Sequence, residues 1–213
     1  MFCPVSQRKF SEFSEHLDKK SMEKRLPYMG AFELTYRCNL NCLHCFCNLP
    51  VVCEEKNKEL SFEEIKRLLD DMVKAGCLWL LLTGGETLLR PDFSDIYDYA
   101  MDKGLFLEVF TNGVLINERI AKKFSERPPL GVEISIYGSC AEVHDNVTRV
   151  PGSFEKAMNG ISILKRYGVG FSLKSVVLKE NTGDLRNMEK LAVGLGAEFK
   201  FDCLVCPRKD LDK

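Results

Sequence analysis

From Ala31 onward, short apolar and β-branched runs alternate with stretches patterned for helix. That alternation limits the folds open to this chain more than any other feature. The strand-like runs are Phe32–Thr35, Leu78–Thr83, Leu105–Phe110, Val132–Tyr137, Phe171–Leu178 and Ala197–Phe201. After the first run, Ser61 with Glu64 three residues on spells a capping box. Ile65, Leu68, Leu69, Met72 and Val73 then share one helical face, and Gly76 suits the position just past the end. Further helices are expected from about Asp92 to Gly104, over Asn117–Glu126, from Ser153 to Gly168, and through Leu185, Met188, Leu191, Ala192 and Leu195 to Gly196. Strands alternating with helices pair in parallel. Six strands are too few for a closed eight-stranded barrel. The expected fold is therefore α/β, a partial, TIM-like (β/α)6 barrel with a mostly parallel sheet, and its ligand site belongs at the carboxyl ends of the strands.

Residues 1–27 are mixed in charge and read as an N-terminal extension, with a short helix over Lys19–Arg25 stopped by Pro27. Residues 28–207 read as one core domain and 208–213 as a tail. Because the chain stops soon after the sixth strand and leaves its edge uncovered, the tail is expected to begin a further C-terminal region.

The run Cys38-Asn39-Leu40-Asn41-Cys42-Leu43-His44-Cys45 follows the first strand and so falls on the ligand end of the barrel. Three thiolates on one loop can hold three irons of a [4Fe–4S] cluster and leave the fourth iron open. A structural zinc knuckle completed by His44 or Cys47 is the competing reading. There are ten cysteines and no long apolar run in Met1–Phe10, which points to a reducing, cytoplasmic setting and to metal or thiols in place of disulfides. A net charge of −1 gives no basis for binding nucleic acid or an anionic membrane surface. No uncharged stretch approaches the roughly 18 residues of a membrane span.

Other strand ends carry signals of their own. Thr83-Gly84-Gly85-Glu86 closes the second strand, Thr111-Asn112-Gly113 the third, and Ser135-Ile136-Tyr137-Gly138 the fourth. Taken alone, Gly84-Gly85 and Asn112-Gly113 are turns, and His144-Asp145 is a local hydrogen-bonded pair. Cys203-Leu204-Val205-Cys206 is a C-x-x-C, a spacing used for metal or redox work; it reads here as a pair of unliganded thiols, with ligation of an auxiliary cluster or action with substrate as the alternatives. Cys47 and Cys53 read as spare, and Cys3, Cys77 and Cys140 as isolated small side chains.

In this order the motifs resemble the radical S-adenosylmethionine (SAM) family, over about residues 30–207. The stretch His144-Asp145, Arg149 and Gly152-Ser153-Phe154 resembles its peptide- and cofactor-maturing subgroup with SPASM or twitch extensions. Thr87 departs from the proline that commonly follows Gly-Gly-Glu in the family. The resemblance implies a [4Fe–4S] cluster on Cys38, Cys42 and Cys45, with SAM chelating the open iron and cleaved reductively to a 5′-deoxyadenosyl radical. It puts Gly84 and Gly85 where backbone closely approaches the ligand and Glu86 near the methionine amino group. Asn112 and Ser135 become cofactor contacts, and Arg149 and Lys174 become cations for the carboxylate. It further implies a peptide or small-molecule substrate, an anaerobic cytoplasm, and an electron donor such as a flavodoxin or ferredoxin. Tetrapyrrole or molybdopterin cofactor synthesis, and a truncated metal-binding fragment without turnover, are the alternatives.

Overall fold

The structure, a computed structural model, describes residues 10–47 and 49–206. Residues 1–9 of the expected extension (Cys3 among them), Pro207 and the tail 208–213 lie outside the described residues. The strands are β1 (Met29–Thr35), β2 (Arg37–Cys38), β3 (Leu49–Pro50), β4 (Trp79–Gly84), β5 (Phe106–Thr111), β6 (Gly131–Ser135), β7 (Ser172–Val176) and β8 (Glu198–Asp202). The helices are α1 (Phe10–Lys24), α2 (Phe62–Lys74), α3 (Phe93–Asp102), α4 (Glu118–Glu126), α5 (Ala141–Thr148), α6 (Ser153–Arg166) and α7 (Leu185–Leu195).

Six strands form one sheet in the order β1-β4-β5-β6-β7-β8, and every neighbouring pair is parallel. β2 and β3 form a separate two-residue parallel ladder that staples the cysteine loop at its base. Because successive strand side chains point to opposite faces, each sheet strand carries two jobs. In β5, Leu107, Val109 and Thr111 are buried, whereas Phe106, Glu108 and Phe110 are not. Leu107 and Val109, with Leu80, Leu82, Ile134 and Leu173, pack on Ile65, Leu69, Phe93, Tyr97, Phe124, Ile161 and Leu164 of the helices. Phe93, Tyr97 and Phe124 form an aromatic knot with centroids 5.3–6.4 Å apart. The other face is left free to build a site.

Local signals act as the sequence suggests for α2. Ser61 and Glu64 make the reciprocal capping box, and Gly76 continues past the end with φ 101°. Leu68, assigned to the apolar face, is 42% exposed. Two helices differ from expectation. α1 starts nine residues before Lys19, at Phe10, and ends before Arg25, which has φ 53°; Met22, in its second half, is 82% exposed. α5 has no counterpart in the sequence reading. It has only eight residues, two of them valine and threonine at its end, and its order comes from tertiary contacts.

Replacing Ser61 with Ala removes an acceptor for the Glu64 amide and the partner of the Glu64 carboxylate. The expected cost is about 1 kcal/mol. It should appear in urea unfolding as a lower midpoint with an unchanged slope.

Candidate functional site

The end of β4 is drawn against the exit of β1. The Gly85 amide donates to the Thr35 carbonyl at 2.6 Å, and the Glu86 amide donates to the Arg37 carbonyl at 2.9 Å. A side chain on Gly84 would fall on the Thr35 carbonyl oxygen, and one on Gly85 would fall on the Arg37 carbonyl, with the Tyr36 carbonyl 2.7 Å away. Gly84 also has φ 129°, which disfavours any residue with a Cβ. The close approach seen here is thus to the chain's own root of the cysteine loop, although both glycines also line the cavity described below.

Glu86 is fully buried and does not line that cavity. Thr111 Oγ1 and the Leu88 amide donate to its Oε1 at 2.7 and 3.0 Å, and the Asn112 amide donates to Oε2 at 2.7 Å. Burial raises its pKa, while these donors pull the other way. In this geometry Glu86 clamps the end of β4 to the end of β5. Asn112 carries the connection onward: its Nδ2 donates to Asn39 Oδ1 at 2.8 Å and lies 3.7 Å from Cys38 Sγ.

The cysteine loop is also held from the far side by α5. The last four carbonyls of a helix lack internal partners. Here the Asn41 amide donates to the Thr148 carbonyl at 3.0 Å and the Leu43 amide to the Val147 carbonyl at 2.9 Å. Asp145 then caps the next helix, accepting from the Gly152 and Phe154 amides at 2.6 and 2.9 Å and from Ser153 Oγ at 2.8 Å. His144 and Asp145 are therefore not bonded to each other as the sequence suggested. His144 Nδ1 accepts from the Tyr137 amide at 3.1 Å, because on a helix adjacent side chains diverge. Arg149 ends α5 with φ 57°, is exposed, and is not among the cavity-lining residues.

The cavity lies at the carboxyl ends of the strands and encloses about 310 Å³. Cys38, Cys42, Cys45 and His44 line one side; Gly84, Gly85, Asn112, Ser135, Tyr137 and Lys174 line the others. Lys174 is steered by the face of Phe110, 4.2 Å from its Nζ, and by Glu133, 3.5 Å away. The His44 ring meets Tyr137 edge-on at 4.7 Å, and Tyr137 in turn stacks on His144.

The donor set fits an iron–sulfur cluster. Burial pushes the Cys38 thiol up to about 12 and raises Cys42 as well, so neither sulfur ionises readily without a cation beside it. Metal coordination supplies that charge. The Leu40 amide donates to Cys38 Sγ at 3.4 Å, the kind of contact that tunes cluster potentials. Among the described residues, no three His, Cys, Asp or Glu side chains converge on one ion.

Sequence reasoning missed the brace under this loop. Arg37 donates from Nε and a terminal nitrogen to Glu59 at 2.7 and 3.0 Å. Arg90 pairs with Asp92 and donates to the carbonyls of Leu34 and Leu60. Both arginines are buried. Their only sequence signal is position: Arg37 precedes Cys38, and Arg90 precedes a helix start.

Gly85→Ala should drive a methyl group into the backbone that carries the cysteine loop. Iron retained after reconstitution should fall well below wild type, measured by colorimetric iron assay, while far-UV circular dichroism stays close to wild type. A second outcome concerns pH. Burial holds His144 at about 4 against 6.5 unfolded, so the unfolded chain takes up a proton first as pH falls from 6.5 toward 4. Stability is lost across that window, by about 3 kcal/mol at its lower end. Urea midpoints of His144→Asn should show a shallower decline there than wild type.

Residues 32–192 match the Radical SAM superfamily. The chain is 36% identical over 175 residues to the AdoMet-dependent heme synthase of Methanosarcina barkeri, covering 80% of this chain and 48% of that protein. It is 31% identical over 202 residues to the mycofactocin maturase MftC of Mycobacterium tuberculosis, covering 94% and 49%. The chain thus spans about half the length of the curated relatives it matches. Among solved structures, Streptococcus suis SuiB bound to the precursor peptide SuiA superposes with a TM-score of 0.72 at 14% identity, covering 94% of this chain and 46% of that one. Native anSMEcpe with bound AdoMet gives 0.69 at 22% identity, covering 83% and 51%. By the extent of the family match and the identity to its relatives, the chain belongs to the radical SAM superfamily of enzymes.

Proposed function

We propose that residues 28–207 are the core domain of an enzyme that reductively cleaves SAM and uses the product to modify a peptide or a peptide-derived cofactor precursor. The observation that carries this reading is one cavity lined both by Cys38, Cys42 and Cys45 and by the Gly84-Gly85 turn, with a largely apolar wall. Bound there, a [4Fe–4S] cluster and SAM supply one-electron cleavage to a 5′-deoxyadenosyl radical. The three cysteines hold three irons. Asn112 orients the Cys38 end of the loop, and Ser135 and Lys174 offer a hydroxyl and an ammonium to the polar parts of SAM. Glu86 serves by fixing the wall, and Arg149 has no part in it. Phe46, Phe110 and Tyr137 exclude water from the reacting carbon.

The peptide reading rests on the maturase relative that covers 94% of the chain and on the SuiB fold seen with its precursor peptide. A tetrapyrrole substrate is the second reading, favoured by the higher identity to heme synthases. Among the described residues no helix is long and apolar enough to cross a membrane. A cytoplasmic, anaerobic setting and a flavodoxin- or ferredoxin-type donor complete the proposal.

Anaerobic reconstitution with iron and sulfide, then dithionite and SAM, should give about four irons per chain and 5′-deoxyadenosine. Cys42→Ala should abolish both the visible cluster absorbance and the cleavage. Cleavage at the wild-type rate in that variant would refute the assignment. Turnover of a short peptide encoded beside the gene, against turnover of an iron tetrapyrrole, separates the two substrate readings.

A further inference from the structure

The loop after β8 brings one further sulfur to the same cavity, with a second close by in the chain. Cys206, with Leu204 and Val205, lines it along with the cluster cysteines, and Cys203 lies one C-x-x-C spacing away in the chain. Both thiols are exposed, as are Leu204 (70%) and Val205 (50%). The one acidic neighbour, Asp202, is engaged by the Leu204 amide at 2.8 Å. Among the described residues no third ligand joins the two sulfurs in a metal site. Of the remaining groups that line the cavity, Thr83, Thr111, Ser135 and Ser175 have strong O–H bonds. The Tyr137 phenol is buried and ring-packed against His44 and His144. Outside the cluster motif, Cys206 is thus the cavity's weak S–H bond, and a C–H bond formed at its expense is the stronger of the two.

We propose that Cys206 and Cys203 form a hydrogen-atom-donating dithiol that quenches carbon radicals in this cavity. The inference rests on the SAM-cleaving reading above. Cys206 gives its S–H hydrogen atom to one carbon radical and becomes a thiyl. A second carbon radical takes the hydrogen atom of Cys203, and the two sulfurs pair as a disulfide, a closure natural to C-x-x-C. Two carbon radicals and two thiols become two C–H bonds and one S–S bond, with no electron or proton left over. A small external dithiol resets the pair.

The test needs only SAM as probe. The full chain, reconstituted anaerobically, is reduced by dithionite with SAM in D2O, without substrate and without added thiol. Thiol hydrogens exchange with solvent, so wild type should yield 5′-deoxyadenosine carrying deuterium. Peptide mass spectrometry should find one Cys203–Cys206 disulfide for every two molecules formed. Cys206→Ser should lose the deuterium and the disulfide while keeping the wild-type iron content. Cys203→Ser should keep the deuterium but form no disulfide. Deuterium-free 5′-deoxyadenosine from wild type, with both thiols intact, overturns the dithiol and leaves the enzyme reading standing. So does iron content that falls in either serine variant, because the cysteines are then metal ligands. Absence of 5′-deoxyadenosine altogether overturns both.

Discussion

The site depends on one steric fact: at Gly84 and Gly85 the second core strand passes so close to the exit of the first that no side chain fits between them. Two backbone hydrogen bonds fill that contact. They fix where the chain leaves β1 and hence where Cys38 begins. From the same turn the Glu86 carboxylate reaches β5, and Asn112 of β5 reaches back to Asn39 and Cys38. The three strand ends and the loop are therefore closed into one ring of hydrogen bonds. A motif that reads in sequence as a ligand-contact signature is first a joint between strands.

The division of labour across the sheet explains how a small domain places polar groups in the wall of a largely apolar cavity. Side chains of one parity along β4 to β7 go to the helices and are almost wholly apolar. Those of the other parity include Phe110, Ser135, Lys174 and Glu133. Glu133 is nearly buried and is neutralised by Lys200 at 2.7 Å and Lys174 at 3.5 Å. Burying such a carboxylate is tolerable only with paired cations, and the pairing leaves the Lys174 ammonium aimed at the cavity. Polar groups stand where chemistry is to be done, and apolar ones where the fold is to be held.

Much of this was legible in the sequence. The six sheet strands fall within a few residues of the alternating runs, because parallel strands must bury a continuous apolar face. The ends of α2, α4 and α7 follow from Ser61, Asn117 and Gly196, whose side chains or flexibility satisfy helix termini locally. What escaped were features whose causes are distant in the chain. α5 has weak intrinsic propensity and is held by the cysteine loop a hundred residues earlier. The Arg37–Glu59 pair spans a segment with no periodic pattern. The inward turn of Glu86 depends on donors from the next strand, and the exposure of Arg149 depends on where α5 stops. A motif gives the identity of a residue but not the direction its side chain takes.

The amides of Asn41 and Leu43 terminate α5, and the same loop bears Cys38, Cys42 and Cys45. Occupancy of the loop and completion of the helix are therefore two faces of one linked equilibrium. A cofactor bound by the thiols lowers the free energy of the helical state, and through Asp145 that of the start of α6 as well. Loading of the loop would in this sense be communicated through backbone carbonyls to the far end of α5.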